Sequence, residues 1–243
     1  MAKRARRTAE ARIHALSPPE SGWHPLEGEG AAPEQRYRRR VRAMSAGQAA
    51  LLEAIEDYHL ALALGPAGTG KTYLAVAKAV EALERGEAER IVLTRPAVEA
   101  GETLGYLPGG VDSKLAPYLR PLYDALSDRL GSGKRLKGLL GEGSIEIAPL
   151  AFMRGRTLNN AFIVVDEAQN CTYAQLKMLL TRLGWHSTMV LTGDPDQSDL
   201  LPGVTGLGEI AGRLEALADV AVVRLDDSDI VRHPLVAAML GVI

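Results

Sequence analysis

Cysteine and aromatic side chains are scarce in this chain, with one Cys, two Phe and two Trp among 243 residues. A lone thiol, Cys171, excludes an intrachain disulfide framework and a zinc site built on cysteines. It fits a reducing compartment, and a cytoplasmic location is expected. With so few large rings, the core must be built from Ala, Leu, Val and Ile. No apolar run approaches the length of a membrane span. The basic N-terminus lacks a following apolar segment, so it does not read as a secretory signal.

Net charge is also low, at −2, but it hides an asymmetry. Residues 1–42 hold ten Lys/Arg against five Glu, a surplus of +5 that leaves −7 for the remainder. Between Ser17 and Pro33, four prolines and several glycines break any period, and the stretch reads as disordered or loosely attached. The cluster Arg36 to Arg42, with Tyr37 inside it, suits a nucleic-acid phosphate backbone and suits a solubilising tail equally well. Residues 1–44 are therefore expected to be a flexible basic tail ahead of one domain over 45–243. Hydrophobic content of 47% with 24% charged residues is that of an ordinary globular protein.

The domain is organised around Gly65-Pro66-Ala67-Gly68-Thr69-Gly70-Lys71-Thr72, which satisfies G-x-x-x-x-G-K-S/T at every fixed position. A short apolar run, His59 to Leu64, reads as a buried strand before it. An Ala/Leu/Val-rich helical pattern starting with Tyr73 follows. Glycines here let backbone N–H groups turn inward around phosphate oxygens, and the helix start adds its positive end. Lys71 is expected on the β- and γ-phosphates and the Thr72 hydroxyl on Mg²⁺. Just upstream, Ser45 reads as the N-cap of a helix carrying Ala49, Leu52 and Ile55 at helical spacing. Gln48 in its first turn could read an adenine edge, or could be an exposed helix glutamine.

Downstream, strands and helices alternate. Strands are expected at Ile91–Thr94, Ser144–Ala148, Ala161–Val165, Thr188–Thr192 and Val220–Leu225. Helices are expected over Leu115–Leu130, broken into pieces by Pro117 and Pro121, and over Tyr173–Leu183, Leu207–Leu217 and His233–Val242. Gly101 to Gly110 reads as a loop. The pattern predicts an α/β fold, a mostly parallel sheet covered on both faces, with ligands at the carboxyl ends of its strands.

Polar clusters fall at such ends. Asp166, closing the apolar strand Ala161–Val165, suits a metal-holding role, and Glu167 beside it suits orienting a water against a γ-phosphate. In Thr192-Gly193-Asp194-Pro195-Asp196-Gln197, Gln197 could contact that phosphate, although Gly-Asp-Pro-Asp is also an ordinary turn. A water-orienting Glu favours hydrolysis of a nucleoside triphosphate over phosphotransfer to a small molecule.

Several strings resemble the PhoH-like ATPases: the Gly65–Thr72 loop, Arg95-Pro96-Ala97-Val98-Glu99, Leu104-Gly105-Tyr106-Leu107-Pro108-Gly109, Pro117-Tyr118-Leu119-Arg120-Pro121, Pro149-Leu150-Ala151-Phe152-Met153-Arg154-Gly155-Arg156, Asp166-Glu167-Ala168-Gln169-Asn170, Thr192 to Gln197, and Asp229-Ile230-Val231-Arg232-His233-Pro234. The likeness spans about 45–243. It implies a P-loop NTPase of single RecA-like domain, related to superfamily 1 helicases, with ATP and Mg²⁺ as ligands and Gln48 in the adenine-reading place. It also implies a link to RNA, so Arg95, Arg154 and Arg156 are candidate contacts to a single strand, with Lys114, Arg120, Tyr106 and Tyr118 nearby in sequence. Some relatives carry a PIN-type ribonuclease domain. The first forty-odd residues lack the acidic cluster of such a nuclease, so a ribonuclease is expected only as a separate partner. A motor acting on RNA and a nucleotide-gated switch both remain open. One lobe alone leaves the nucleotide short of a cation, so a homo-oligomer, a hexameric ring by resemblance, is expected. Arg232 is the candidate finger, unless it pairs with Asp229.

Overall fold

A computed structural model describes residues 41–96, 111–200, 205–231 and 239, with the backbone alone for 111–117. Six strands are present in this part of the chain: β1 Leu60–Leu64, β2 Arg90–Arg95, β3 Ile145–Pro149, β4 Ala161–Val165, β5 Thr188–Gly193 and β6 Val220–Arg224. They form one sheet in the order β3-β2-β4-β5-β1-β6, and every pairing is parallel. Each strand expected from the sequence is found, within a residue or so at its ends. The helices are α1 Ala46–Asp57, α2 Lys71–Arg85, α3 Val111–Leu130, α4 Gly133–Gly141, α5 Tyr173–Leu180 and α6 Leu207–Leu214.

Side chains alternate across the strands and so build two cores, one on each face. Ala61, Ala63, Ile91, Leu93, Phe162, Val164 and Val190 point to the face covered by α1 to α4. Leu60, Leu62, Leu64, Val92, Ile163, Val165, Met189 and Leu191 point to the face covered by α5 and α6. Strand β1 therefore turns its small residues toward the face on which α1 packs against it, while α2, whose own buried face is rich in alanine (Ala75, Ala79 and Ala82), lies chiefly over β4 and β5. On the other face Leu62 is fully buried, and its truncation to Ala costs about 2–5 kcal/mol.

Helix ends follow local chemistry. Ser45 accepts from the Gln48 N–H and caps α1, as its position in the sequence suggests. Gly86 ends α2 in the left-handed region, at φ 71°. Thr172 and Gln175 form a reciprocal capping box at the start of α5.

Three expectations need correction. The segment Val111–Leu130 is one continuous helix, not pieces separated by Pro117 and Pro121. Leu119, Leu122, Leu126 and Leu130 form a buried stripe along it, while Pro121 is exposed, where water can take the carbonyl its ring leaves unbonded. Burial of the stripe outweighs the lost bonds. Helices α5 and α6 stop about a turn earlier than their apolar spacing indicates, at Leu180 and Leu214. Helix α4 has no counterpart among the helices expected from the sequence; it is a glycine- and lysine-rich segment held by a Ser132 cap and the buried Leu136. The Gly101–Gly110 loop, the helix expected over His233–Val242 apart from Met239, the tail up to residue 40 and Arg232 lie outside the described residues. Among the described residues, no helix is long and apolar enough to cross a membrane.

Candidate active site

Sheet order decides which residues meet. β5 lies between β1 and β4, with Thr192 opposite Ala63 and Leu191 opposite Val165. The ends of these three strands thus bring the loop after β1, the Asp166-Glu167 pair after β4, and Thr192-Gly193-Asp194 into one place. β2 flanks β4 with Thr94 opposite Val165, so Arg95 arrives beside Asp166. The resulting cavity, of about 360 Å³, is lined among others by Gly68, Lys71, Thr72, Tyr73, Asp166, Glu167, Asp194 and Gln197. A cavity of this size lies within the range of small-molecule sites.

The loop from Gly65 to Gly70 carries three glycines at positive φ: Gly65 at 139°, Gly68 at 88° and Gly70 at 84°. At Gly65 a side chain is excluded outright, since a Cβ would sit 2.2 Å from the Leu225 carbonyl oxygen. Gly70 is the N-cap of α2 and offers no side chain to its first turn. The N–H groups of that turn are left for an anion, with the helix dipole behind them.

Lys71 folds back over this loop. Its Nζ donates to the carbonyls of Gly65 at 2.6 Å and Pro66 at 2.7 Å. Burial pushes its pKa below the usual 10.5, while Asp194, Glu167 and Asp166 pull the other way through their charge. A triphosphate would give this ammonium the anionic partners that its burial now withholds.

Thr72 and Asp166 meet at the floor of the cavity. The Thr72 hydroxyl donates to Oδ1 of Asp166 at 2.5 Å, and Thr192 Oγ1 donates to the same oxygen at 2.8 Å. Asp166 itself is buried. One carboxylate and one hydroxyl make a hard, all-oxygen donor pair, which suits Mg²⁺ with waters and phosphate oxygens completing its shell. No group of three or more His, Cys, Asp or Glu side chains able to hold a metal by itself exists among the described residues. This donor set therefore fits a metal that arrives with a phosphate ligand.

Glu167 sits at the rim in the left-handed region, at φ 53°, a conformation that costs a non-glycine residue on the order of 1–3 kcal/mol. Its Oε1 faces Arg95 Nη2 at 3.4 Å, and its Oε2 accepts from Gln169 Nε2. Gln169 also accepts from the Asp194 N–H at 3.1 Å, tying Glu167 to the end of β5. A Cβ on Gly193 would lie 2.7 Å from that Gln169 oxygen, so glycine is required there. Gln169 and Thr192 join this constellation through their hydrogen bonds, and the reading of the sequence assigns neither of them a part in it. Their one signal is their place next to strand ends that it does single out.

The remaining candidates are distributed as follows. Gln48 is buried, at 4% exposure, which removes the exposed-glutamine alternative. Its Nε2 donates to the Thr69 carbonyl at 3.0 Å and its Oε1 accepts from the Met44 N–H, so it braces the loop from behind. Gln197 and Ala67 line the cavity. The Thr69 hydroxyl donates to the Pro66 carbonyl within the loop. Tyr73 also lines the cavity and donates to Asp128 at 3.2 Å. Arg95 pairs with two residues that line this cavity, Asp166 and Glu167. Arg156 is locked on Glu146 by bonds of 2.6 and 2.7 Å, which hold that carboxyl below its usual range, and Arg154 is exposed. Asp229, the alternative partner for Arg232, receives the Gly47 N–H at 3.1 Å and the Asp226 N–H at 3.0 Å. A side-chain bond from Ser45, the largest influence, joins these backbone bonds in holding the Asp229 carboxyl low. Cys171 is buried, and its thiol is pushed up to about 12, so it is not a nucleophile. A second cavity, of about 350 Å³, opens at the N-terminal ends of β4 and β5, where Glu56, Lys78, Glu81 and Arg85 pair among themselves.

Known proteins place this geometry in context. A fold likeness to the large terminase of a thermophilic bacteriophage covers 82% of this chain and 50% of that one, with a TM-score of 0.51 at 13% identity. Relatives of much higher identity are a PhoH-like protein of Bacillus subtilis (strain 168), 53% identical over 83% of this chain, and the protein PhoH of Escherichia coli (strain K12), 46% identical over 86% of it. The chain spans 63% and 60% of the lengths of those two relatives. The family profile described as PhoH-like protein matches residues 40–243. Built on a P-loop NTPase fold with a nucleotide-binding loop after its first strand, the chain belongs to the PhoH-like protein family.

Proposed function

We propose that this protein hydrolyses ATP with Mg²⁺ and couples turnover to binding and remodelling single-stranded RNA. The observation that carries the reading is the placement of Glu167 at the rim of a cavity whose floor is the Thr72–Asp166 pair and whose wall is the phosphate-binding loop.

The N–H groups of the loop and of the first turn of α2 bind phosphate oxygens. Lys71 exchanges two carbonyl partners for oxygens carrying full negative charge, between the β- and γ-phosphates. Mg²⁺, when bound, neutralises phosphate charge and aligns the γ-phosphate for displacement. Thr72 Oγ1 and Asp166 Oδ1 would hold it, and Thr192 keeps the Asp166 carboxylate turned toward it. Glu167 orients a water at its rim and accepts the proton of that water on a carboxylate oxygen. Gln169 keeps the carboxylate from rotating away, and Gln197 reaches the γ-phosphate from the β5 side. Two residues suited to water leave an acceptor hydroxyl, and hence small-molecule phosphotransfer, without a role.

The domain is one lobe, and the outer side of its nucleotide needs a cation. A hexameric ring of identical subunits, each offering Arg232 to its neighbour, supplies one, and such a cation is worth roughly 10³–10⁵ in rate in other phosphoryl-transfer systems. ATP turnover measured with and without single-stranded RNA tests the reading. Strong stimulation is expected of a motor; an RNA-indifferent rate would leave a nucleotide-gated switch in its place.

A further inference from the structure

Two of the arginines expected to meet nucleic acid are held in opposite ways. Arg156 grips Glu146 through both Nη atoms at 2.6 and 2.7 Å, the fork-on-carboxylate geometry that fixes a guanidinium in place. Arg95 instead spans two carboxylates at long range, with Nη1 3.5 Å from Oδ2 of Asp166 and Nη2 3.4 Å from Oε1 of Glu167. At these separations the charge attraction persists while the hydrogen bond is weak. The Arg95 side chain is 22% exposed, so an anion can reach it from solvent. Glu167 is meanwhile engaged on its other oxygen by Gln169.

We propose that Arg95 is a latch on the catalytic carboxylate, opened by the phosphate backbone of a single-stranded nucleic acid. The inference rests on the reading of Glu167 as the proton acceptor for water. While Arg95 is in place, both oxygens of Glu167 face protein donors, and a water must compete with them for its alignment. A guanidinium presents five N–H donors in a planar fork and pairs best with two oxygens of one group. A backbone phosphate offers that arrangement, which the two single, long contacts to separate carboxylates do not. When Arg95 turns to it, Oε1 of Glu167 is released to the water. Asp166 is still oriented by Thr72 and Thr192, so the metal-holding side of the site is undisturbed.

The surroundings favour a polymer strand over a free phosphate ion. β2 ends beside β3 with Pro149 opposite Arg95, and the short 3-10 turn that follows, Leu150–Met153, exposes Phe152, with Arg154 exposed just after it. An exposed aromatic ring and an exposed cation two residues apart in the sequence are the side-chain types that a single strand uses for base stacking and phosphate contact.

The test is steady-state ATP turnover of the whole protein, comparing wild type with Arg95→Ala and Arg95→Gln. Each is measured alone, with polyuridine, and with inorganic phosphate at the same phosphate concentration. Both variants are expected to turn over roughly fivefold faster than wild type without polyuridine, the factor a partly exposed ion pair represents. They should gain nothing further when polyuridine is added, and inorganic phosphate should leave wild type unchanged. Arg95→Gln keeps most of the side chain, so it decides the matter if Arg95→Ala does not fold. Basal turnover that falls or stays level in the folded variant overturns the latch, and so does retained stimulation by polyuridine. Activation of wild type by inorganic phosphate overturns the strand as the opener. A wild type inert toward ATP overturns the reading of Glu167 itself, whereas an active wild type with unmoved variants overturns the latch alone.

Discussion

Thr72 and Asp166, 94 residues apart in the chain, meet through a 2.5 Å hydrogen bond at the floor of the phosphate-binding cavity. The contact exists because the sheet places β4 two strands from β1 with Thr192 of β5 between them, and Thr192 bonds the same carboxylate oxygen. If this pair is the Mg²⁺ seat, Asp166→Asn should abolish the metal dependence of nucleotide affinity. ATP titrations with Mg²⁺ and with a chelator should then differ at least about tenfold for wild type and little for the variant. A preserved difference would move the metal elsewhere.

Burial lowers the pKa of Lys71 below 10.5, and a bound triphosphate would raise it again by stabilising the ammonium. The sign follows. Between the lowered value of the free protein and the raised value of the complex, binding takes up a proton, and ATP affinity falls as pH rises. In the free protein, the cost of burying the charged lysine is present below the folded-state value and is relieved as pH climbs toward 10.5. Calorimetric titrations at alkaline pH, in buffers of different ionisation enthalpy, should show uptake of up to about one proton. Lys71→Met should show none from this source.

Two glycines in helices give opposite expectations. A Cβ at Gly47 would lie 2.3 Å from Oδ2 of Asp229 and would force apart the contact joining α1 to the segment after β6. Gly47→Ala should therefore destabilise by about 1–3 kcal/mol. At Gly138, inside α4, a Cβ meets nothing within 4 Å, and Gly138→Ala should stabilise by about 0.5–1 kcal/mol. Urea denaturation of both variants reads the two signs directly.

What the sequence disclosed follows from how local each signal is. Gly65 to Thr72 and the Asp166-Glu167 pair are contiguous strings at the ends of apolar strands, so they stand out as candidates at once, and the structure brings most of them to one cavity. Strands are legible for a related reason, since fully buried parallel strands are short apolar runs. The roles of Gln169 and Thr192 depend on β5 lying between β1 and β4, a matter of strand order that no local pattern encodes. Gln48 looks equally compatible with solvent because the loop it braces, at Thr69, closes over it only in the folded sheet. Pro121 misleads for the converse reason: the leucine stripe that keeps α3 continuous draws its strength from the surface it covers.

The central claim is that Glu167 works on water while the loop and Lys71 hold the nucleotide. It is tested most directly by measuring ATP affinity and single-turnover hydrolysis together for Glu167→Gln and Lys71→Ala. Glu167→Gln should bind ATP within about threefold of wild type and lose roughly 10²–10⁴ in hydrolysis rate, the usual worth of a positioned base. Lys71→Ala should lose tight binding itself. Hydrolysis by Glu167→Gln at a rate close to wild type would contradict the account.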